Sequence, residues 1–244
     1  MRTAIVLQAF GSSAPEHQRL RRELLAAYAQ AFPESEIRFS ISSSRVRQCE
    51  GLPEPQQILE ELENQGVERV LIQHLLLIQG QMFDEAQALA GRACDMRLGP
   101  PLIKDAADLD WLAAHLINCL HPTLPNIIAV HGNTRNPQHN RWHLDLMPRL
   151  AHLPRPPVLA SLEGEPGVQP LLALRGQAQA AGGAHLIPLF LFPGGHVLED
   201  LLGSGDESWA QRLGVPLSHS PTLLEQGPVL ARCIERSRQA LGSQ

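Results

Sequence analysis

Residues 185–202 read HLIPLFLFPGGHVLEDLL. The first eight are apolar apart from His185, which suits a strand covered on both faces, the condition of a parallel sheet. The run stops at Pro193, Gly194 and Gly195, and His196 follows just before VLEDLL, whose apolar spacing is helical. An imidazole is thus delivered to the carboxyl end of a buried strand.

The same alternation of short apolar runs and longer amphipathic ones extends back to the start of the chain. TAIVLQAF (3–10), EIRFSISS (36–43) and RVLIQHLLLI (69–78) read as strands. Between and after them, helices are expected through ELLAAYAQAF (23–32), over PEPQQILEELENQG (53–66) and over FDEAQALAGRA (83–93). A second set follows, with strands at NIIAV (126–130), PVLASL (157–162) and 185–192, and a last helix over 223–241. Setting Gly80 on Gly194 aligns the third strands of the two sets without a gap and places Met82 opposite His196. Repetition of this kind predicts an internal duplication. The expected fold is α/β, with two similar lobes of parallel sheet flanked by helices. The lobes are expected over 1–122 and 123–244, with the C-terminal helix packing back on the first.

Composition removes several function classes. A net charge of −5 leaves no basic face for phosphate, against a nucleic-acid binder. No uncharged apolar run reaches 18 residues, against a membrane-spanning helix. MRTAIVLQAFGSS (1–13) is too briefly apolar for a signal peptide and reads as the first strand. Cys49, Cys94, Cys119 and Cys233 are scattered without a C-x-x-C pair, so free thiols and a cytoplasmic location are expected.

Ligands of open parallel sheets collect where strands end. In the second half three strand ends carry His131, Glu163 and His196. Two imidazoles and a carboxylate suit a borderline divalent metal that must also meet a substrate. The first half offers Gly11-Ser12-Ser13, Ser43-Ser44-Arg45 and Gly80-Gln81-Met82 instead, which is hydroxylic and basic. Glu163 also fits a carboxylate in a first helical turn beside Pro166, and Glu165 is a second candidate. Glycines beside His131 and His196 are expected to permit positive φ and the approach of a flat ligand. Asp200 is the acidic residue placed to reach back to His196. No G-x-S-x-G elbow accompanies VHGN (130–133), and no P-loop lysine accompanies FGSS (10–13), which argues against a serine hydrolase and a nucleotide site.

Together these segments resemble the class II chelatases, specifically the CbiK-type sirohydrochlorin cobaltochelatases of anaerobic cobalamin synthesis. LQAFGSS (7–13) is similar to the family's opening strand and FGTS-like turn, SSRV (43–46) to its TSR segment, and VHGN to its GHGT-like loop. VLIQHLLLIQGQMF (70–83) and LGPPLI (98–103) resemble the strand and the connecting segment between the halves, and SLEGEPG (161–167) resembles the VEGYP loop. PGGHVLEDLLGSGDESW (193–209) resembles the GDHA…DEDSW signature, the most specific of the set.

The resemblance implies metal ligands at His131, Glu163 and His196, with catalytic roles for His131 and Glu163. It implies a flat tetrapyrrole in a cleft between the lobes, with Phe10, Gly11, Ser12, Ser13, Arg45, Gly80, Gly194 and Gly195 in contact with it. The divalent metal is a substrate, Co2+ first with Ni2+ or Fe2+ as alternatives, and no nucleotide is needed. The partner is the small-molecule tetrapyrrole, and a homo-oligomer is compatible. QGQMFD (79–84), Leu76, Asn133 and Gly195 depart from the family pattern, which keeps a non-catalytic tetrapyrrole or metal carrier as the alternative. A metal-dependent hydrolase is a third reading.

Overall fold

The computed structural model describes residues 1–79 and 95–242 of the 244-residue chain. The helix expected over 83–93, with Gly80, Met82 and Cys94, lies outside the described residues. The chain forms two compact units, one of residues 1–104 and 227–244, the other of 105–226.

In the first unit the strands are β1 (Thr3–Ala9), β2 (Ser35–Ile41), β3 (Arg69–His74) and β4 (Asp95–Gly99). They form a parallel sheet in the order β2-β1-β3-β4. Six of the seven β1 residues are buried, as its near-continuous apolar sequence requires of a central parallel strand. The helices are α1 (Pro15–Ala31), α2 (Ser44–Glu50) and α3 (Pro55–Asn64). Ile58, Leu59 and Leu62 of α3 pack on Ala4, Val6, Val70 and Ile72 of the sheet.

The second unit begins with α4 (Ala106–Ile117) and continues as β5 (Asn126–Val130), α5 (Arg141–Leu150), β6 (Val158–Ser161), α6 (Gln169–Ala173) and α7 (Arg175–Ala181). Next come β7 (Ala184–Pro188), a π-helical turn (His196–Leu201), α8 (Trp209–Leu213) and β8 (Leu217–His219). Its sheet runs β6-β5-β7-β8, the same order as the first. The last helix, α9 (Gly227–Gly242), belongs to the first unit, where Ser237 Oγ donates to Gln73 Oε1 of β3 at 2.9 Å.

The division therefore falls at 104/105, not at the expected 122/123. The reason is α4, which the expected boundary would leave in the first lobe but which packs within the second unit. It buries Leu109, Leu112, Ala113 and Leu116, and its Asp110 accepts from Arg149 of α5 at 2.6 Å.

Backbone hydrogen bonds show the duplication residue by residue. Ser42 and Ser43 donate to the carbonyls of Ala9 and Phe10 (both 2.9 Å), as Leu162 and Glu163 donate to those of Val130 and His131 (3.1 and 2.8 Å). Leu75 donates to Gln8 as Leu189 donates to Ala129, both at 2.8 Å. Beyond that point Leu76 and Leu77 accept from Leu102 and Ile103, and Phe190 and Leu191 accept from Leu223 and Leu224. These last bonds correct the expected third strands over 69–78 and 185–192. The chain leaves the sheet after His74 and Pro188 because its carbonyls turn to another partner, while Leu75, Leu189 and Leu191 stay buried.

Candidate functional site

Hydrogen bonding makes Phe10 the counterpart of His131, and Ser43 the counterpart of Glu163. At the carboxyl edge of the second sheet, His131, Glu163 and His196 line one cavity of about 350 Å³, with Asp200, Trp209 and Arg212 on its wall. His131 is half-buried, and Glu163 and His196 are exposed. Trp209 anchors the wall: it is buried at the start of α8, whose first turn is capped by Ser208 Oγ accepting from Gln211 N at 3.3 Å.

The imidazoles of His131 and His196 meet edge to face, with centroids 4.6 Å apart. His131 Nδ1 lies 2.7 Å from the carbonyl oxygen of Gly132, which can only accept. His196 Nδ1 lies 2.7 Å from an Asp200 carboxylate oxygen. Both rings are thereby tied as Nδ1–H donors, so in the neutral form each has its lone pair on Nε2.

Glu163 does not sit in a helical first turn, since the next helix starts at Gln169. It stands in a loop closed on buried Ser161, whose Oγ accepts from Gly167 N at 2.8 Å and whose N–H donates to Gly167 O at 3.0 Å. The Glu163 carboxylate accepts from Thr134 Oγ1 at 3.3 Å. Among the described residues, no three His, Cys, Asp or Glu side chains converge on a single metal position. The three expected ligands thus share a cavity wall without forming a closed cage.

The glycine beside His131 adopts the expected positive φ and also makes room for a neighbouring loop. Gly132 has φ +74°, and a Cβ there would lie 1.8 Å from the carbonyl oxygen of Glu163. Gly164, at φ +63°, is packed in turn against the Asn133 carbonyl, 2.8 Å from where its Cβ would be. The loops after β5 and β6 therefore interlock backbone to backbone, and Gly132 makes room for the other loop. Gly195 adopts an ordinary φ of −49°, and a Cβ there would make only van der Waals contact with Glu199.

The described first-unit candidates, Phe10, Gly11, Ser12, Ser13 and Arg45, follow β1 and β2 at the carboxyl edge of the other sheet, and Gly80 lies outside the described residues. Phe10 is 65% exposed, unusual for a large apolar side chain, and it follows β1 directly. Gly11 has φ +98°, with Ile41 filling the space of its Cβ. Ser12 Oγ accepts from Ala14 N at 3.2 Å, and the Ser13 carbonyl from Gln18. Arg45 is exposed in the first turn of α2, which Ser43 caps by accepting from Val46 N at 3.4 Å.

Sequence reading missed Asn140 and His143, both buried under the Glu163 loop, and Thr134, Trp209 and Arg212. His143 Nε2 lies 3.1 Å from the Glu165 carbonyl, and burial pushes its pKa down. Only the GDESW segment gave a signal, for Trp209.

The family model for cobalt chelatase (CbiK) matches residues 3–216. The chain belongs to this family. It is 26% identical to the sirohydrochlorin cobaltochelatase of Salmonella typhimurium strain LT2, over 99% of this chain and 97% of that protein. It is 27% identical to the sirohydrochlorin cobaltochelatase CbiKC of Nitratidesulfovibrio vulgaris, over 86% and 78%. The fold is that of SirB from Bacillus subtilis with Fe3+, at TM-score 0.68 and 17% identity over 99% and 96% of the two chains. It is also that of CbiX, the terminal enzyme for siroheme biosynthesis in denitrifying bacteria, at TM-score 0.58 and 20% identity over 99% and 100%. As a member of the cobalt chelatase family, the chain takes the metal ion as substrate. Among the described residues no helix is long and apolar enough to cross a membrane.

Proposed function

We propose that this chain inserts a divalent metal ion, Co2+ in first place, into sirohydrochlorin without a nucleotide, as a step of cobalamin synthesis. One observation carries the reading. His131 and His196, each with Nδ1 bonded to an oxygen and its neutral-form lone pair on Nε2, line one cavity with Glu163 at the carboxyl edge of the second sheet, where ligands of open parallel sheets bind. Family membership and the two curated relatives support the substrate.

The chemistry follows from the donor set. Insertion exchanges two pyrrole N–H protons for one divalent cation, so it needs a site that releases an ion and takes up protons. A neutral imidazole does both near pH 7. His196 holds the ion, with Asp200 fixing its ring and spreading the positive charge. His131 binds the ion and, as it leaves, accepts a pyrrole proton. Glu163 rotates from Thr134 toward the ion, offsets its charge and takes the second proton. An incomplete cage suits an ion that passes through, whereas a resident structural ion is held in a closed tetrahedral set. Gly195 keeps the space beside His196 free of side chain, and Gly194 is expected to do the same. In the first unit Phe10, with Gly11, Ser12, Ser13 and Arg45, offers an aromatic face, hydroxyls and a guanidinium for a flat pigment with carboxylate arms.

The test mixes protein, sirohydrochlorin and, separately, Co2+, Ni2+ and Fe2+, following the pigment's absorption. Faster conversion than the protein-free control, fastest with Co2+, is expected. Tight stoichiometric pigment binding without conversion by any of the three ions would overturn the reading in favour of a carrier.

A further inference from the structure

We infer that Asn140 and His143 are positioning residues that hold the two ligand-bearing loops of the second unit in register, and so set where Glu163 stands relative to His131 and His196. The inference rests on the chelatase reading above, and it assigns work to two residues that touch neither metal nor pigment. Asn140 ends a 3-10 turn (Pro137–Asn140), and His143 lies three residues on, in α5. Their exposures are 4% and 0%. A buried polar side chain needs a defined partner, and the partners here are telling.

Asn140 Nδ2 donates to the carbonyl of Asn133 at 2.9 Å, two residues after His131. His143 Nε2 donates to the carbonyl of Glu165 at 3.1 Å, two residues after Glu163. One segment thus reaches one backbone oxygen in each loop. The loops themselves are interlocked at Gly132 against Glu163 and at Gly164 against Asn133. Asn140 Nδ2 also lies only 2.8 Å from where a Gly164 Cβ would be, so this side chain wedges the second loop while bonding the first. Between the loops the only side-chain bridge on the metal side is the single Thr134–Glu163 hydrogen bond among the described residues. Removing the amide or the imidazole frees a loop carbonyl without touching any ligand atom. The expected consequence is a displaced Glu163 and a weaker grip on the ion, with the pigment surface unaltered.

A control is available within the same unit. His185 is also buried, with its ring nitrogens 2.8 and 3.0 Å from the hydroxyls of Ser218 and Ser220. It lies at the opposite, amino end of β7, and its ring's hydrogen bonds go to Ser218 and Ser220 and not to either loop.

The experiment titrates full-length protein with Co2+ alone, read by the cobalt absorption bands, and then measures metallation at saturating sirohydrochlorin with Co2+ varied. His143→Leu, which keeps bulk but lacks the donor, is expected to weaken Co2+ binding about 10- to 100-fold and raise KM for Co2+ by the same factor. KM for the pigment is expected to stay put. His143→Gln, which restores an N–H donor at similar reach, is expected to recover most of the loss. His185→Leu is expected to lower the melting temperature without moving Co2+ affinity. Should His143→Leu fail to fold, Asn140→Ala carries the test with the same tenfold or greater weakening expected. Folded variants at both positions that bind and insert Co2+ like wild type overturn the inference and leave the chelatase reading standing. A wild-type protein that neither binds Co2+ nor metallates the pigment overturns both.

Discussion

The edge of one imidazole meets the face of the other where His131 and His196 approach, with centroids 4.6 Å apart and ring planes at 74°. With both Nδ1 atoms already bonded to oxygen, each ring in its neutral form keeps its lone pair on Nε2, the atom that the proposed function assigns to the ion. His131→Ala and His196→Ala are each expected to lower the metallation rate by about 100-fold or more, since even indirect partners of metal ligands are worth 10–100-fold. Thermal unfolding should move little for His196→Ala, because that side chain is 54% exposed and outside the core. Rate loss is read by pigment absorption and fold retention by a thermal melt.

Asp200→Asn isolates the support behind His196. The pair is about half exposed at both ends, 54% and 51%, so the contact adds no more than about 1 kcal/mol to stability. The same contact fixes the imidazole tautomer. Co2+ affinity is therefore expected to fall roughly tenfold or more while the melting temperature holds, measured by titration and melt on the same samples. Unchanged affinity would show the Asp200 contact to be incidental.

Gly132→Ala tests the interlocked loops. The new Cβ would meet the Glu163 carbonyl oxygen at 1.8 Å, in a backbone with φ +74°. Left-handed geometry costs about 1–2 kcal/mol and forced overpacking about 1–3. At about 2–4 °C per kcal/mol for a protein of this size, the melting temperature should drop by roughly 4–20 °C. Gly195→Ala, at an ordinary helical φ and with only van der Waals contact to Glu199, should change it by very little.

The parts legible in the sequence were those with an apolar signature. β1, β3, β5 and β7 are buried on both faces, so near-continuous apolar runs announced them, and the segments after β5, β6 and β7 held His131, Glu163 and His196. Of the four outer strands β2 and β6 were legible, whereas DMRLG (β4) and LSH (β8) were not, being short and polar as sheet edges commonly are. Helix α4 was lost beside the Pro-rich segment 98–103, and with it the true boundary of the units. Asp200 could be anticipated because i and i+4 share a helical face. Asn140 and His143 could not, since their partners lie 7 and 22 residues away and no periodicity links a side chain to a distant carbonyl. Nor could the role of Gly132, which depends on a neighbour 31 residues further along.

Acid should destabilise the fold through its buried histidines. Burial lowers His17 and His74 to about 4, and pushes down His143 and His185 as well. Each folded pKa lies below the unfolded value of 6.5, so below that pH the unfolded chain binds more protons. Their contribution is complete above pH 6.5 and is lost as pH falls from 6.5 toward 4, at up to about 1.4 kcal/mol per unit for each group. Urea unfolding at pH 7.5, 6 and 5 should give midpoints that fall in that order. Midpoints that are flat or rising toward acid would contradict the account.

The most direct test of the central claim is the initial rate of Co2+ insertion into sirohydrochlorin, recorded side by side for wild type, His196→Ala and a protein-free control. The account predicts a wild-type rate well above the control, and a His196→Ala rate close to it in a protein that melts normally. A folded His196→Ala protein that inserts cobalt as fast as wild type would contradict it.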